Sequence, residues 1–327
     1  MRSRAFIAAT SLAVALLAGC AGSGLFGTGS RSAAAPAAAP SDTASAAPAA
    51  SASADKAPPP TRTAAPAAAS ASPQSGARAS AATLDAVHRI VESGRLRVGL
   101  TGAQPPLNMK SRKGELIGLD VDLAMALADA MDLELELIER PFADLLPGLI
   151  AGDFDLVISN LTITPARNAQ VAFAGPYLIS GATLLTRKEL AETFESDEAI
   201  DSPERTFGVR SGSTSEALLR DAYPKAKVVA VDDPATLVPR IRSGELDGLF
   251  SDLPTVRFLL ARHPDAGLAE VGTPFTTEPI GIALDPGSPL LVNLVQNYLN
   301  TLDYTGLLVQ MKTYWLNDGK WTAEVAE

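Results

Sequence analysis

From about residue 82 onward, apolar and polar positions switch between two periods, one of two residues and one near 3.6. Alternation marks strands at 95–100 (RLRVGL), 133–139 (LELELIE) and 155–160 (DLVISN). Helical spacing falls between them, at 83–93, 118–132 and 142–152. In the second of these, Val121, Ala124, Met125, Ala128 and Met131 share a stripe and Asp120 stands where a cap would. The alternation returns with strands at 206–209, 227–231 and 247–251, and helices from about 213, at 233–243 and at 254–263. A strand at 278–284 and two consecutive helices over 288–316 close the pattern. Strand and helix in turn imply α/β layering, with mostly parallel sheets covered by helices. The second set is shorter and predicts a smaller sheet. A chain that ends by returning to the first unit predicts two lobes: 82–185 plus 277–327, and 186–276. Two crossing segments, near 183–188 and 273–279, would form the hinge. Two sequential independent domains are the alternative reading of the same pattern.

The first 80 residues carry neither period. Arg2 and Arg4 precede an apolar run, Phe6 to Leu17, that is too short to span a bilayer. The run ends in Leu17-Ala18-Gly19-Cys20, spaced like a bacterial lipobox, so residues 1–19 read as a lipoprotein signal peptide. Cys20 would then be the lipidated residue, carrying fatty acyl groups such as palmitate. A plain secretory signal with a chance cysteine is the other reading. Residues 20–80 are dominated by Ala, Pro and Ser, and prolines interrupt every alanine run. Such a segment has too little apolar surface to offset its ordering entropy, and predicts a disordered tether of roughly 40–45 Å as a coil. The expected location is periplasmic or extracytoplasmic, with a lipid anchor in the inner or the outer membrane.

Charge and rare residues narrow the chemistry. The formal net charge of −10 argues against a nucleic-acid partner, which needs a basic patch. Cys20 is the only cysteine and His88 and His263 are the only histidines, so neither a metal site nor a Ser-His or Cys-His nucleophile is expected. Gly114 to Gly118 lacks the Lys-Ser/Thr of a phosphate loop and reads as a turn and strand.

One residue breaks a local rule. In SNLTITPAR (159–167), Thr164-Pro165 reads as an N-cap followed by proline at the first helical position. Arg167 then falls in the first helical turn, where a cation is disfavoured by roughly 0.3–1 kcal/mol. It makes sense if an anion rests beside it.

Several stretches, in order, resemble the bacterial extracellular solute-binding proteins of family 3, the polar amino acid type. They are LRVGLTGAQPPLNM, GELIGLDVDLAMALA, FADLLPGLIAGDFDLVISNLTITPARN, VAFAGPYLISG, FGVRSGSTSEALL, LDGLFSDLP and TGLLVQMKTYW. The resemblance implies a type II periplasmic binding protein-like fold, whose two lobes close on a small amino acid-like ligand for an ABC-type permease in the inner membrane. It implies a monomer with no cofactor and no catalytic residue. It puts Arg167 on a ligand carboxylate, helped by the Thr162 hydroxyl and the backbone near Asn160. From the second lobe it adds Thr214 on the carboxylate and Asp252 on the α-ammonium. From the residues alone, Ser213 with Glu216 reads as a capping box, and Asp252 could simply cap the helix that follows it.

Three positions depart from the family pattern or stay open. Gln104 stands where many relatives carry an aromatic. Phe142 could cover the ligand's side chain or pack in the core. Arg210 could favour an acidic or carbonyl-bearing ligand, or face solvent. Two other functions fit the same architecture: a cyclohexadienyl dehydratase-like enzyme, and a ligand-sensing module for an envelope signalling partner. The enzyme needs a general acid just beyond Asp252, and Leu253, Pro254, Thr255 and Val256 offer no carboxylate.

Overall fold

The computed structural model describes residues 86–325. The expected signal peptide, the expected lipidation at Cys20 and the expected tether fall outside the described residues. The described chain opens in a helix at 86–93 (α1). Then come β1 (Arg95–Leu100), the small strands β2 (Ala103–Gln104), β3 (Asn108–Lys110) and β4 (Leu116–Ile117), α2 (Leu119–Ala130) and β5 (Glu134–Glu139). A 3₁₀ turn at Phe142–Asp144 leads into α3 (Leu145–Ala151), followed by β6 (Leu156–Thr162), α4 (Pro165–Asn168) and β7 (Ala172–Ser180). The second lobe holds β8 (Ala182–Arg187), α5 (Asp197–Ile200), β9 (Thr206–Arg210), α6 (Thr214–Ala222) and β10 (Lys227–Val231). It continues with α7 (Val238–Arg242), β11 (Gly248–Asp252), α8 (Leu253–Arg262) and β12 (Leu268–Glu270). The chain returns through β13 (Glu278–Leu284) to α9 (Pro289–Tyr304) and α10 (Leu307–Thr313).

Each lobe is built on a mixed sheet, ordered β5-β1-β6-β13-β7 in the first and β10-β9-β11-β8-β12 in the second. Three strands run parallel in each, as the alternating pattern predicts. The second sheet is not smaller: both have five strands, because β7, β8 and β12 carry no clean alternation by which to count them.

The first crossing also lies earlier than expected. Residues 183–188 fall mostly inside β8, which belongs to the second sheet, so the chain changes lobe at Gly181. A side chain there would meet the Thr276 carbonyl oxygen at 2.2 Å, which explains the glycine. The two crossings are stitched together. The Ala182 N–H donates to Thr276 Oγ1 (2.8 Å), and the Phe275 N–H donates to the Ala182 carbonyl (2.8 Å).

Helix α2 departs from its expected cap. It starts at Gly118, whose φ of 135° and approach to the Leu107 carbonyl exclude a side chain. Asp120 thus sits inside the first turn and points inward. The buried face includes Leu119, Leu123 and Leu127, whereas Met125 is exposed.

The cores differ in kind. Leu96, Val98, Leu119, Leu123 and Leu127 fill the first lobe. Beneath the second sheet, Phe207 meets Phe194 and Phe250 edge-on at centroid distances of 5.4 and 5.3 Å. At the C-terminal end, Trp321 stacks on Phe258 of α8 at 5.7 Å and lies 5.3 Å from Trp315. Among the described residues, no helix is long and apolar enough to cross a membrane.

Candidate functional site

The cleft lies where the carboxyl ends of the parallel strands face one another, the usual ligand position in open α/β sheets. Its first wall is a polar network. Gln104 Oε1 accepts from Ser159 Oγ (2.7 Å) and Thr101 Oγ1 (3.1 Å), and the Thr101 hydroxyl also reaches Asn108 Oδ1 at 2.7 Å. Behind it the buried Asp120 accepts from Asn108 Nδ2 (2.7 Å), the Tyr177 hydroxyl (2.7 Å) and the Asn160 N–H (3.1 Å). Burial pushes the Asp120 carboxyl up to about 6. The three hydrogen bonds pull the other way, and the nearby charge of Asp252 adds to the rise. Asn160 is held at φ 47°, in the left-handed region that asparagine tolerates. Its Oδ1 is buried without a partner.

The second wall is made of helix starts. Ser213 caps α6, its Oγ accepting from the Glu216 N–H at 3.1 Å. The reciprocal bond of a capping box is displaced by one residue, from the Gly212 N–H to Glu216 Oε2 (2.8 Å). Asp252 caps α8 by accepting from the Thr255 N–H at 3.0 Å, and it also lines the cleft.

Glu278, the first residue of β13, joins the two walls. Its Oε2 accepts from Thr162 Oγ1 of the first lobe (2.8 Å) and Thr214 Oγ1 of the second (3.0 Å). Its Oε1 accepts from Thr276 Oγ1 (3.1 Å). The Thr162 and Thr214 oxygens are 3.5 Å apart. Sequence reasoning missed Glu278. The signal was there in EPIGIAL, a charged residue opening an apolar strand at the return crossing.

The two cleft arginines also bridge the lobes. Arg167 donates to the Thr162 carbonyl (2.9 Å) and the Gly212 carbonyl (3.1 Å), with its guanidinium 5.5 Å from the Phe142 ring centre. Burial lowers its pKa, and the charge of Glu278 opposes that. Arg210 is 5% exposed and does not face solvent; it donates to the Asp232 carbonyl and, across the cleft, to the Ala103 carbonyl (2.7 Å). Burial lowers its pKa too, against Asp252, Asp233 and Asp232.

Of the residues expected at the site, the structure brings Gln104, Phe142, Asn160, Thr162, Arg210, Thr214 and Asp252 around one cleft. Its volume is about 350 Å³ with its open mouth, and Glu278 lines it as well. Arg167 is not in that lining; it sits behind Thr162, against the carbonyls. Helix α4 has only four residues, so it adds little of the dipole expected beside Arg167. Phe142 both lines the cleft and packs with Leu145, Leu149 and Phe154. Among the described residues, no group of His, Cys, Asp or Glu could hold a metal ion.

Comparison with known proteins gives this geometry its family. Residues 96–318 match the model of the bacterial extracellular solute-binding proteins, family 3. The chain is 29% identical over 227 residues to ABC transporter arginine-binding protein 1 of Escherichia coli K12, covering 68% of this chain and 90% of that one. It is 31% identical over 244 residues to the cyclohexadienyl dehydratase of Pseudomonas aeruginosa, covering 73% and 91%. A crystal structure of a putative ABC transporter binding component from Wolinella succinogenes, complexed with lysine, superposes with a TM-score of 0.67. It is 34% identical, covering 70% of this chain and 98% of that one. The type II two-lobed fold expected from the sequence is thus present, and the chain belongs to the bacterial extracellular solute-binding proteins of family 3.

Proposed function

We propose that this protein is the periplasmic substrate-binding component of an ABC importer and captures an amino acid by closure of its lobes. The observation that carries this reading is the meeting of both lobes at one small polar cleft. Hydroxyls from each lobe reach one carboxylate, and Arg167 and Arg210 each bond a carbonyl of the opposite lobe. A ligand that touches both walls favours the closed arrangement by its differential contacts, and the permease reads closure. Arg167 takes the ligand carboxylate with N–H groups not spent on carbonyls, supported by the backbone at Asn160 and, once their hydroxyls turn from Glu278, by Thr162 and Thr214. Asp252 takes the α-ammonium, which would be costly to enclose without a counter-charge. Gln104 and Phe142 shape the end of the cleft that holds the ligand's side chain. Lipid attached at Cys20 holds the monomer at a membrane through the tether. The relatives named for arginine binding and for an ABC transporter component complexed with lysine support an amino acid ligand.

Calorimetry against the twenty amino acids and related carboxylates tests the reading. Arg167→Ala should weaken whichever ligand binds by about 1.5–3 kcal/mol, on the order of ten- to hundredfold in Kd. Unchanged affinity would remove Arg167 from the site.

The dehydratase relative favours one second reading, elimination chemistry in the same cleft. Against it, the residues after Asp252 carry no carboxyl, and the Thr255 hydroxyl donates to the Pro105 carbonyl at 3.2 Å. Besides Asp252, Glu278 is the carboxyl in the lining, and its oxygens are taken up by the hydroxyls of Thr162, Thr214 and Thr276. Turnover of prephenate or arogenate would establish the enzyme.

A further inference from the structure

We infer that the cleft selects a ligand carrying a net positive charge, and that Glu278 is the residue that sets this preference; the inference rests on the amino acid reading above and specifies its side chain. The cleft lining holds three charged groups, Arg210, Asp252 and Glu278. Arg210 already directs its guanidinium at the Asp232 and Ala103 carbonyls. Arg167, behind the lining, directs its own at the Thr162 and Gly212 carbonyls. Neither Asp252 nor Glu278 forms an ion pair among the described residues.

The donors that reach Glu278 are hydroxyls of Thr162, Thr214 and Thr276. These donors are uncharged, so no cation among the described residues is paired with the carboxylate in the cleft. Asn160 Oδ1, in the same lining and 5% exposed as a residue, is a further acceptor with no donor. The unmet capacity of this cleft is therefore acceptor capacity, and a complementary ligand brings N–H groups and positive charge. An amino acid with a neutral side chain supplies one cation for two carboxylates. One with a basic side chain supplies two, and Asp252 and Glu278 divide them. An acidic side chain would add a fourth carboxylate, beside Asp252, Glu278 and the ligand's own α-carboxylate, to a weakly screened space. Glu278 also occupies the Thr162 and Thr214 hydroxyls, so the ligand carboxylate depends on Arg167 more than the family pattern implies.

The test is calorimetry on the full chain with four probes of similar length: lysine, norleucine, glutamine and glutamate. Lysine should bind at least about tenfold tighter than norleucine, from which it differs by the side-chain ammonium, and tighter still than glutamate. Glu278→Gln should remove most of that ratio, and a circular dichroism spectrum and thermal unfolding midpoint matching the wild type certify that the variant is folded. A second measurement needs no variant. Raising salt from about 0.05 to about 0.5 M should weaken lysine more than norleucine. Equal affinity for lysine and norleucine in the wild type would overturn the inference, as would a lysine preference that survives in Glu278→Gln. Failure of all four probes and of every other amino acid would instead overturn the amino acid reading itself.

Discussion

The two lobes repeat one arrangement of strand directions and fill it differently. In each sheet three parallel strands are followed by one reversed strand and then one restored. The reversed strand, β13 or β8, is the one the chain enters on arriving from the other lobe. The fifth, β7 or β12, is the one by which it leaves. Each lobe therefore pairs its entry with its exit, which brings both crossings side by side at Gly181 and Thr276 and keeps the hinge narrow. The contents of the lobes are not repeated. The first is aliphatic inside and offers the cleft a pre-linked polar network. The second adds an aromatic cluster around Phe207 and Phe250 to its aliphatic residues, and offers the starts of α6 and α8. A shared sheet plan fixes where the cleft lies, and the unlike fillings decide what each wall can do there.

The largest effect should come from the cores. Phe250→Ala removes a ring that meets Phe207, Tyr223 and Phe275, and should cost about 3–5 kcal/mol. Leu123→Ala in the first lobe should cost about 2–5 kcal/mol. Leu249, next to Phe250 in β11, belongs to an apolar cluster that reaches Leu96 and Leu123 in the first lobe, so both variants should lower a single urea transition. Two separate transitions in Phe250→Ala would show that the lobes unfold independently.

The polar walls should differ in their response to pH. The folded-state pKa of Asp120 is raised from 3.8 to about 6, so the folded protein binds a proton there that the unfolded chain releases. That contribution is full below the unfolded value and is lost as pH rises through 6. Relative to Asp120→Asn, the wild type should lose about 2 kcal/mol between about pH 4 and about pH 7. Parallel stability curves for the two proteins would remove Asp120 as the source.

The smallest effects lie at the caps. Ser213→Ala should cost about 1 kcal/mol, because Ser213 starts a helix of nine residues. Thr164 accepts from the Arg167 N–H at 3.2 Å but starts a single turn of four residues, so Thr164→Ala should cost only about 0.5 kcal/mol. Equal losses in urea denaturation would mean that Thr164 holds more than its own turn.

These contrasts were unevenly legible in the sequence. Strands β1, β10 and β13 fall on the expected residues, because alternation or an unbroken apolar run is bounded there by turn residues. Strands β7 and β8 do not, since AFAGPYLIS mixes buried and exposed positions without a period and ATLLTR is buried at its first five positions, with no polar face to alternate with. Ser213, Thr164 and Asp252 were readable as caps because capping is a local rule. Asp120 obeys the same local pattern and does something else, because Gly118 starts the helix two residues earlier and turns the carboxylate toward Asn108 and Tyr177. Glu278 has no local rule at all. Its meaning comes from Thr162, 116 residues before it, and from Thr214, 64 residues before it.

The stack at the C-terminal end gives the molecule a built-in optical reporter. The chain has two tryptophans, and both lie in that one cluster. Trp315 is fixed to the first lobe through its bond to Asp122, whereas Trp321 rests on Phe258 of the second. A movement of one lobe against the other that separates Trp321 from Phe258 changes what the indole touches. Unlabelled protein therefore carries its own signal for closure, in emission intensity and wavelength.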